Sequence, residues 1–263
     1  YNVLSELDEN AILFTVGDND TYATWLIQAA KKMRRDVTIV NTSLIELEEY
    51  RNRLLKELGY DPLTLKKPES DEEYLQNNLK LYAHFFAGKR PVYVSTTAIS
   101  LFEKEFGDNL YLTGLAYKYS GTAFDNIAVI RRNYEKRYLI DYLKEVFSYN
   151  IGDAKGEEFN GMYLPSMVKL YQHYIESEET SKKQDLETLM LKIAERTGQQ
   201  SEILELLSAQ AKTASILSTV MDLKTLESNL IPVKGNIYMD KYEVTNSDYN
   251  KFLSNLKLSG QTD

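Results

Sequence analysis

The stretch Ala11-Ile12-Leu13-Phe14-Thr15-Val16-Gly17-Asp18-Asn19-Asp20-Thr21 decides the fold class of this chain. Ala11–Val16 is a short, nearly continuous apolar run closed by Gly17, which reads as a buried strand. Beyond the polar turn, Tyr22, Trp25, Leu26, Ala29 and Met33 recur at helical spacing, so Thr21–Arg34 reads as a helix. A buried strand, a polar turn and an amphipathic helix in succession are the start of an α/β unit.

The alternation continues outward from there. Asp36–Val40 is rich in β-branched residues and reads as a second strand. Leu44–Leu58 is a helix closed by Gly59, and Asp61–Ser70, with two Pro, is a loop. Asp71–Ala87 is a third helix, with Ser70 as N-cap and Glu73 completing a capping box. Pro91–Ser95 is a third strand, Ala98–Phe106 a short helix, and Leu110–Tyr119 contains a fourth strand broken at Gly114. The expected fold over residues 1–130 is α/β, a mainly parallel Rossmann-like sheet with helices packed on it.

After Arg131 the pattern becomes helical. Tyr134, Tyr138, Leu139, Tyr142, Leu143 and Val146 fall on one helical face, and Gly152–Gly161 reads as a loop. Tyr163–Ser177 is a helix with Pro165 in its first turn. Leu186, Leu189, Met190 and Ile193 mark another, ending at Gly198, and Ser201–Ala211 and Ala214–Leu226 continue the series. Residues 131–230 are thus a helical module, either tetratricopeptide-like hairpins or an irregular bundle. In residues 231–263, Val233–Val244 is β-rich and Thr245–Leu256 reads as a capped helix.

Composition narrows the function classes. The 263 residues carry a formal net charge of -8, with no basic arm, which argues against nucleic acid as a partner. Cys is absent, which removes disulfides, thiolate metal sites and Cys nucleophiles. No apolar stretch approaches the roughly 18 residues of a membrane span, and no signal peptide is read. Tyr1 in place of Met reads as the start of a cut or processed piece. The 20 Tyr suit half-buried helix seams or carbohydrate and protein contact surfaces.

Ligands of open α/β sheets bind outside the carboxyl ends of the strands. The first three strands end in Gly17–Thr21, Asn41-Thr42-Ser43 and Ser95-Thr96-Thr97, and parallel strands would bring these polar turns to one edge. Helix N-termini there offer free N–H groups. Asp18 and Asp20 flank Asn19, a spacing that suits a divalent cation held by oxygen ligands, or sugar hydroxyls. The structural alternative is that one Asp caps the next helix while Gly17 supplies an unusual backbone angle. The candidate ligand-binding residues are Asp18, Asn19, Asp20, Thr21, Asn41, Ser43 and Thr96, with Asp18 and Asp20 as candidate metal ligands. His84 and His173 have no partner at metal-ligand spacing. Arg131-Arg132 with Lys136-Arg137 either starts a solvated helix or meets an acidic partner. There is no nucleophile elbow, phosphate-binding loop or dinucleotide fingerprint, so catalysis stays open.

Two stretches resemble known families. Leu13–Thr21, followed by Trp25, Gln28, Asp36-Val37, Asn41–Leu44, Tyr50, Pro62-Leu63, Pro91-Val92-Tyr93 and Gly114–Tyr117, is similar to the soluble C-terminal region of bacterial protein O-mannosyltransferase-like membrane proteins. This resemblance spans roughly residues 10–120. It implies a fold and a cell-envelope setting, with Asp18, Asn19 and Asp20 as the family-like residues. It does not imply transferase activity, which belongs to the membrane-embedded portion of such proteins. Gly235–Met239, Tyr242–Asn246, Tyr249 and Phe252 resemble the opening of a formylglycine-generating enzyme, or sulfatase-modifying factor, domain. Residues 231–263 then read as a truncated start of such a domain, short of its catalytic cysteines and calcium ligands. The resulting expectation is a non-catalytic binding or assembly module of a bacterial cell-envelope protein, periplasmic or surface-exposed. Its partner would be an envelope protein, or a polar or glycan ligand at the α/β edge. The alternative is a metal-dependent glycosyl- or phosphoryl-transfer module using Asp18 and Asp20.

Overall fold

The computed structural model describes residues 1–144, 154–209, 230–234 and 237–240. Residues Tyr1–Leu204 form one compact unit and Glu205–Asp263 a second. In the first, β1 (Ile12–Thr15) pairs in parallel with both β2 (Thr38–Asn41) and β3 (Val92–Ser95), with Leu13 opposite Ile39 on one side and Tyr93 on the other. Every residue of β1 is buried because helices cover both faces of the sheet. The period-2 alternation of a strand assigns its side chains to two cores. Ile12 and Phe14 face one core with Leu54, Leu81, Phe85 and Phe102. Leu13 faces the other with Leu4, Leu7, Val37 and Tyr93. Helices α3 (Glu48–Leu58) and α4 (Asp71–Phe86) supply the first core, while α1 (Asn2–Glu6) and α2 (Gly17–Lys31) flank the second. Phe14 meets Tyr82 and Phe85 edge-on, with centroids 5.6 and 5.3 Å away.

Local chemistry sets the helix ends. Ser70 Oγ accepts the Glu73 N–H at 3.2 Å, as its N-cap position requires. The Glu73 carboxylate, however, takes the N–H of Glu69 at 2.8 Å rather than that of Ser70. Gly59 closes α3 at φ +72, with its N–H to the Lys56 carbonyl and the Tyr60 N–H to that of Leu55. The helix expected over 44–58 is split into a 3₁₀ turn, Leu44–Glu46, and α3, separated by an extended Leu47. Helix α2 begins at Gly17, so the expected polar turn is the helix's own first turn. Its Tyr22 and Leu26 face solvent, and Thr21 and Thr24 are buried instead.

The α/β class holds, but the sheet is mixed. The strand expected over 110–119 is a hairpin of β4 (Leu110–Leu112) and β5 (Ala116–Tyr119). β5 runs antiparallel to β3, giving the order β2-β1-β3-β5-β4. The hairpin turns at Gly114, whose φ of +155 and lack of a Cβ let the backbone pass the Tyr138 hydroxyl and the Glu6 carboxylate. The short helix expected over 98–106 is a 3₁₀ turn, Ile99–Leu101, followed by α5 (Glu103–Phe106).

Helix α6 (Asn126–Arg132) is capped by Asp125 and runs into a π-helical turn, Asn133–Arg137. Tyr138 is extended and ends it, so the face expected for Tyr134, Tyr138, Leu139, Tyr142 and Leu143 is not one helix. Ile140 and Leu143 are buried and Leu139 is exposed; Val146 lies outside the described residues. Helix α7 (Ala154–Asn160) occupies most of the span read as a loop. Helices α8 (Leu164–Glu176) and α9 (Thr180–Thr197) follow the predicted pattern, with Pro165 in the first turn of α8 and Gly198 left-handed after α9. A helix over 200–209 follows. The helices expected at Ala214–Leu226 and Thr245–Leu256 lie outside the described residues. In the second unit, β6 (Leu230–Lys234) and β7 (Ile237–Asp240) pair antiparallel.

Two of the four residues in the basic cluster after residue 130, Arg131 and Arg137, are tied internally. Arg131 pairs both oxygens of Glu179, at 2.7 and 2.8 Å, and Arg137 donates to the Ser5 carbonyl at 3.1 Å. No helix among the described residues is long and apolar enough to cross a membrane.

Candidate functional site

Asp20 is the hub of the carboxyl edge. It sits one turn into α2, and its Oδ2 accepts the Val16 N–H at 3.1 Å, closing the strand-to-helix turn. The same oxygen accepts the hydroxyls of Ser95 at 3.1 Å and Thr97 at 2.5 Å, from the turn that follows β3. One carboxylate oxygen thus joins the end of β1, the first turn of α2 and the end of β3. The parallel pairing of β1 with β3 makes this possible, because it delivers both strand ends to the same edge.

Beside this hub lies a buried polar knot. The Thr21 hydroxyl donates to the Gly17 carbonyl at 2.7 Å and lies 2.8 Å from the Thr15 hydroxyl. Asn41 Nδ2 donates to that Thr21 oxygen and to the Gly17 carbonyl, both at 2.9 Å. Asn41 Oδ1 accepts the N–H groups of Ser43 and Leu44, which starts the 3₁₀ turn after β2. Gly17 itself takes φ +69, a region that favours glycine.

A cleft of about 280 Å³ opens against the hub. Its polar side carries Thr15, Asn19, Asp20, Ser95, Thr96 and Thr97. Phe159, Met162 and Tyr163 line it too, with the start of α1. Asn2 fixes this part of the lining: its Nδ2 donates to the Tyr163 hydroxyl at 2.7 Å, and its Oδ1 accepts the Leu139 N–H at 2.9 Å. Among the described residues the side chains of Asn19 and Thr96 have no hydrogen-bond partner, which leaves both to a ligand.

Three of the expected site residues, Asn19, Asp20 and Thr96, line this cleft. Thr21 and Asn41 are buried in the supporting knot, Asp18 is exposed outside the lining, and Ser43 is exposed after β2. The lining residues not expected are chiefly Phe159, Met162 and Tyr163, from a segment read only as loop and helix start. The abundance of Tyr was a signal for Tyr163, and none pointed to Phe159 or Met162. A third carboxylate beside Asp18 and Asp20 would favour a cation. Among the described residues no group of three or more His, Cys, Asp or Glu side chains converges in that way. His84 Nε2 contacts the Asp61 carbonyl at 2.9 Å, and His173 Nε2 lies 3.3 Å from Arg131, both away from the cleft.

A second carboxylate lies deeper. Glu6, at the end of α1, is fully enclosed and accepts hydrogen bonds from the Tyr138 hydroxyl and the Leu115 N–H. Burial pushes its carboxyl up to about 7, against the opposing pull of these donors. It joins α1, the β4–β5 turn and the segment after α6.

A family model described as TMEM260-associated domain 2 matches residues 1–86, the span from α1 through α4 that supplies Asn19, Asp20 and Asn41, while no curated protein and no solved structure matches the chain.

Proposed function

We propose that residues 1–204 form a non-catalytic binding module that takes a hydroxyl-rich ligand of the glycan class in the cleft beside Asp20. One observation carries this reading: unpartnered Asn19 and Thr96 side chains share one cleft with the apolar surfaces of Phe159, Met162 and Tyr163. A sugar presents hydroxyls on its rim and C–H groups on its face. Such a cleft meets both, with a few placed polar groups fixing orientation beside apolar surface. Asp20 contributes to the polar lining while its own hydrogen bonds keep that lining rigid.

The resemblances over residues 10–120 and 231–256 support a place in a bacterial cell-envelope protein. The parallel β2-β1-β3 core with helices on both faces supports reading the sheet as Rossmann-like. The paired helices α8 and α9 are the part compatible with a tetratricopeptide-like arrangement.

Saturation-transfer NMR against a panel of neutral oligosaccharides tests the proposal. Thr96→Val and Asn19→Ala should each weaken binding about three- to tenfold, the value of one neutral hydrogen bond, with thermal stability unchanged. Saturation transfer from no glycan, or binding indifferent to both substitutions, would refute it.

A further inference from the structure

A second cleft, of about 400 Å³, lies between the start of α3, the loop before α4 and the first half of α4. Its volume falls within the roughly 300–1,000 Å³ of small-molecule sites. At its base is Arg51, which is only 4 % exposed. Both hydrogen bonds of its guanidinium leave from Nη1, to the carbonyls of Ile45 at 3.3 Å and Glu46 at 3.0 Å. Among the described residues its buried Nε has no partner and no carboxylate pairs with this cation. A buried charge without a counter-ion is costly, by several kcal/mol in general, and proteins normally pair it. Here the unused edge of the guanidinium belongs to a residue that lines an open cavity.

We infer that this cleft binds the phosphate group of a small phosphorylated, hydroxyl-bearing compound, a sugar phosphate in chemical class. The free Nε edge of a guanidinium is a planar fork that receives two oxyanion oxygens side by side. Lys66 and Lys67, exposed on the loop at the rim, add positive potential where an anion would enter. Asn77 Nδ2 donates to the Lys66 carbonyl at 2.8 Å and so anchors that loop to α4. Glu46 also lines the cleft, with one carboxylate oxygen accepting the Tyr74 hydroxyl and the other open to a ligand hydroxyl. The acidic Glu46 and Glu48 disfavour a polyanion, so one phosphate at Arg51 with neutral hydroxyls towards Glu46 fits the charge pattern. This site shares no residue with the cleft beside Asp20, so the two readings stand or fall separately.

Isothermal titration of the whole chain at low ionic strength, with glucose 6-phosphate, glucose, inorganic phosphate and glucuronate as probes, tests the assignment. Glucose 6-phosphate should bind, inorganic phosphate more weakly, and glucose and glucuronate not at all. Arg51→Lys keeps the charge but removes the fork, and should weaken glucose 6-phosphate binding by about tenfold or more. The double substitution Lys66→Ala with Lys67→Ala lies on the exposed loop, leaves folding intact, and should weaken binding about three- to tenfold. That variant carries the test if Arg51→Lys does not fold. No heat with either phosphate, binding unaffected by the substitutions that fold, or a preference for glucuronate would each overturn the assignment.

Discussion

At the scale of single residues, the carboxyl edge separates groups that hold the site from groups that can use it. Asp18 and Asp20 look equivalent in the sequence, yet a helical turn gives them opposite roles. Asp20 points back to Val16 and across to Ser95 and Thr97, while Asp18 faces solvent at the positive end of the α2 dipole. Asp20→Ala would remove the acceptor shared by Val16, Ser95 and Thr97, leaving the two hydroxyls only each other at 2.7 Å, and each lost hydrogen bond in a half-buried site costs about 1 kcal/mol. We expect Asp20→Ala to lower unfolding stability by about 2–3 kcal/mol and Asp18→Ala by about 0.5 kcal/mol, read from urea midpoints. Equal effects from the two substitutions would refute the assignment of Asp20 as the hub.

At the scale of elements, most of the α/β half could be read in advance because its signals are local. A buried run between turn residues gives β1, Ser70 with Glu73 gives the start of α4, and Gly59 gives the end of α3. The β4–β5 hairpin was not legible, because its cause lies far away in the chain. Gly114 suggested a break within one strand, but what makes it a reversal is the space that Glu6 and Tyr138 occupy beside it. The same holds for the cleft. Asn19, Asp20 and Thr96 follow from the rule that strand ends carry ligands, whereas Phe159, Met162 and Tyr163 reach the site only through tertiary packing. The exposed Tyr22 and Leu26 show the reverse error, in which correct helical spacing was joined to the wrong buried face. The hairpin explanation makes its own prediction. Gly114→Ala places a Cβ onto the Tyr138 hydroxyl and the Glu6 carboxylate, an overpacking that should cost about 2–3 kcal/mol. Gly121→Ala, where an added Cβ meets nothing within 4 Å, is the control and should change stability by less than about 0.5 kcal/mol. Similar thermal midpoints for the two variants would argue against a turn dictated by close approach.

At the scale of the whole molecule, the packing of the compact first unit leaves a signature in pH. The buried Glu6 titrates at about 7 instead of its ordinary 4.5, so the folded state holds that proton more tightly than the unfolded chain. The stability this contributes is fully present below about 4.5 and is lost as pH rises to about 7. The difference amounts to about 3 kcal/mol. Asp36 works in the opposite sense. The Arg34 guanidinium, hydrogen-bonded to its carboxylate, holds it down to about 2, so its contribution is present above the ordinary 3.8 and is lost as pH falls through about 2. The two windows leave an interval near pH 4–5 in which both contributions are present. The net charge of -8 at pH 7 acts in the same direction, because self-repulsion of the carboxylates weakens as the chain approaches its pI of about 5.1. Thermal unfolding followed from pH 3 to 8 should therefore give the highest midpoint on the acidic side of neutrality. Glu6→Gln keeps the shape and removes the titration, so it should flatten the decline between pH 4.5 and 7 while leaving the loss below pH 3.8 in place. A midpoint that rises towards pH 7 in the unsubstituted chain, or a decline unchanged in Glu6→Gln, would exclude Glu6 as the buried acid that couples the sheet to the helices beside it.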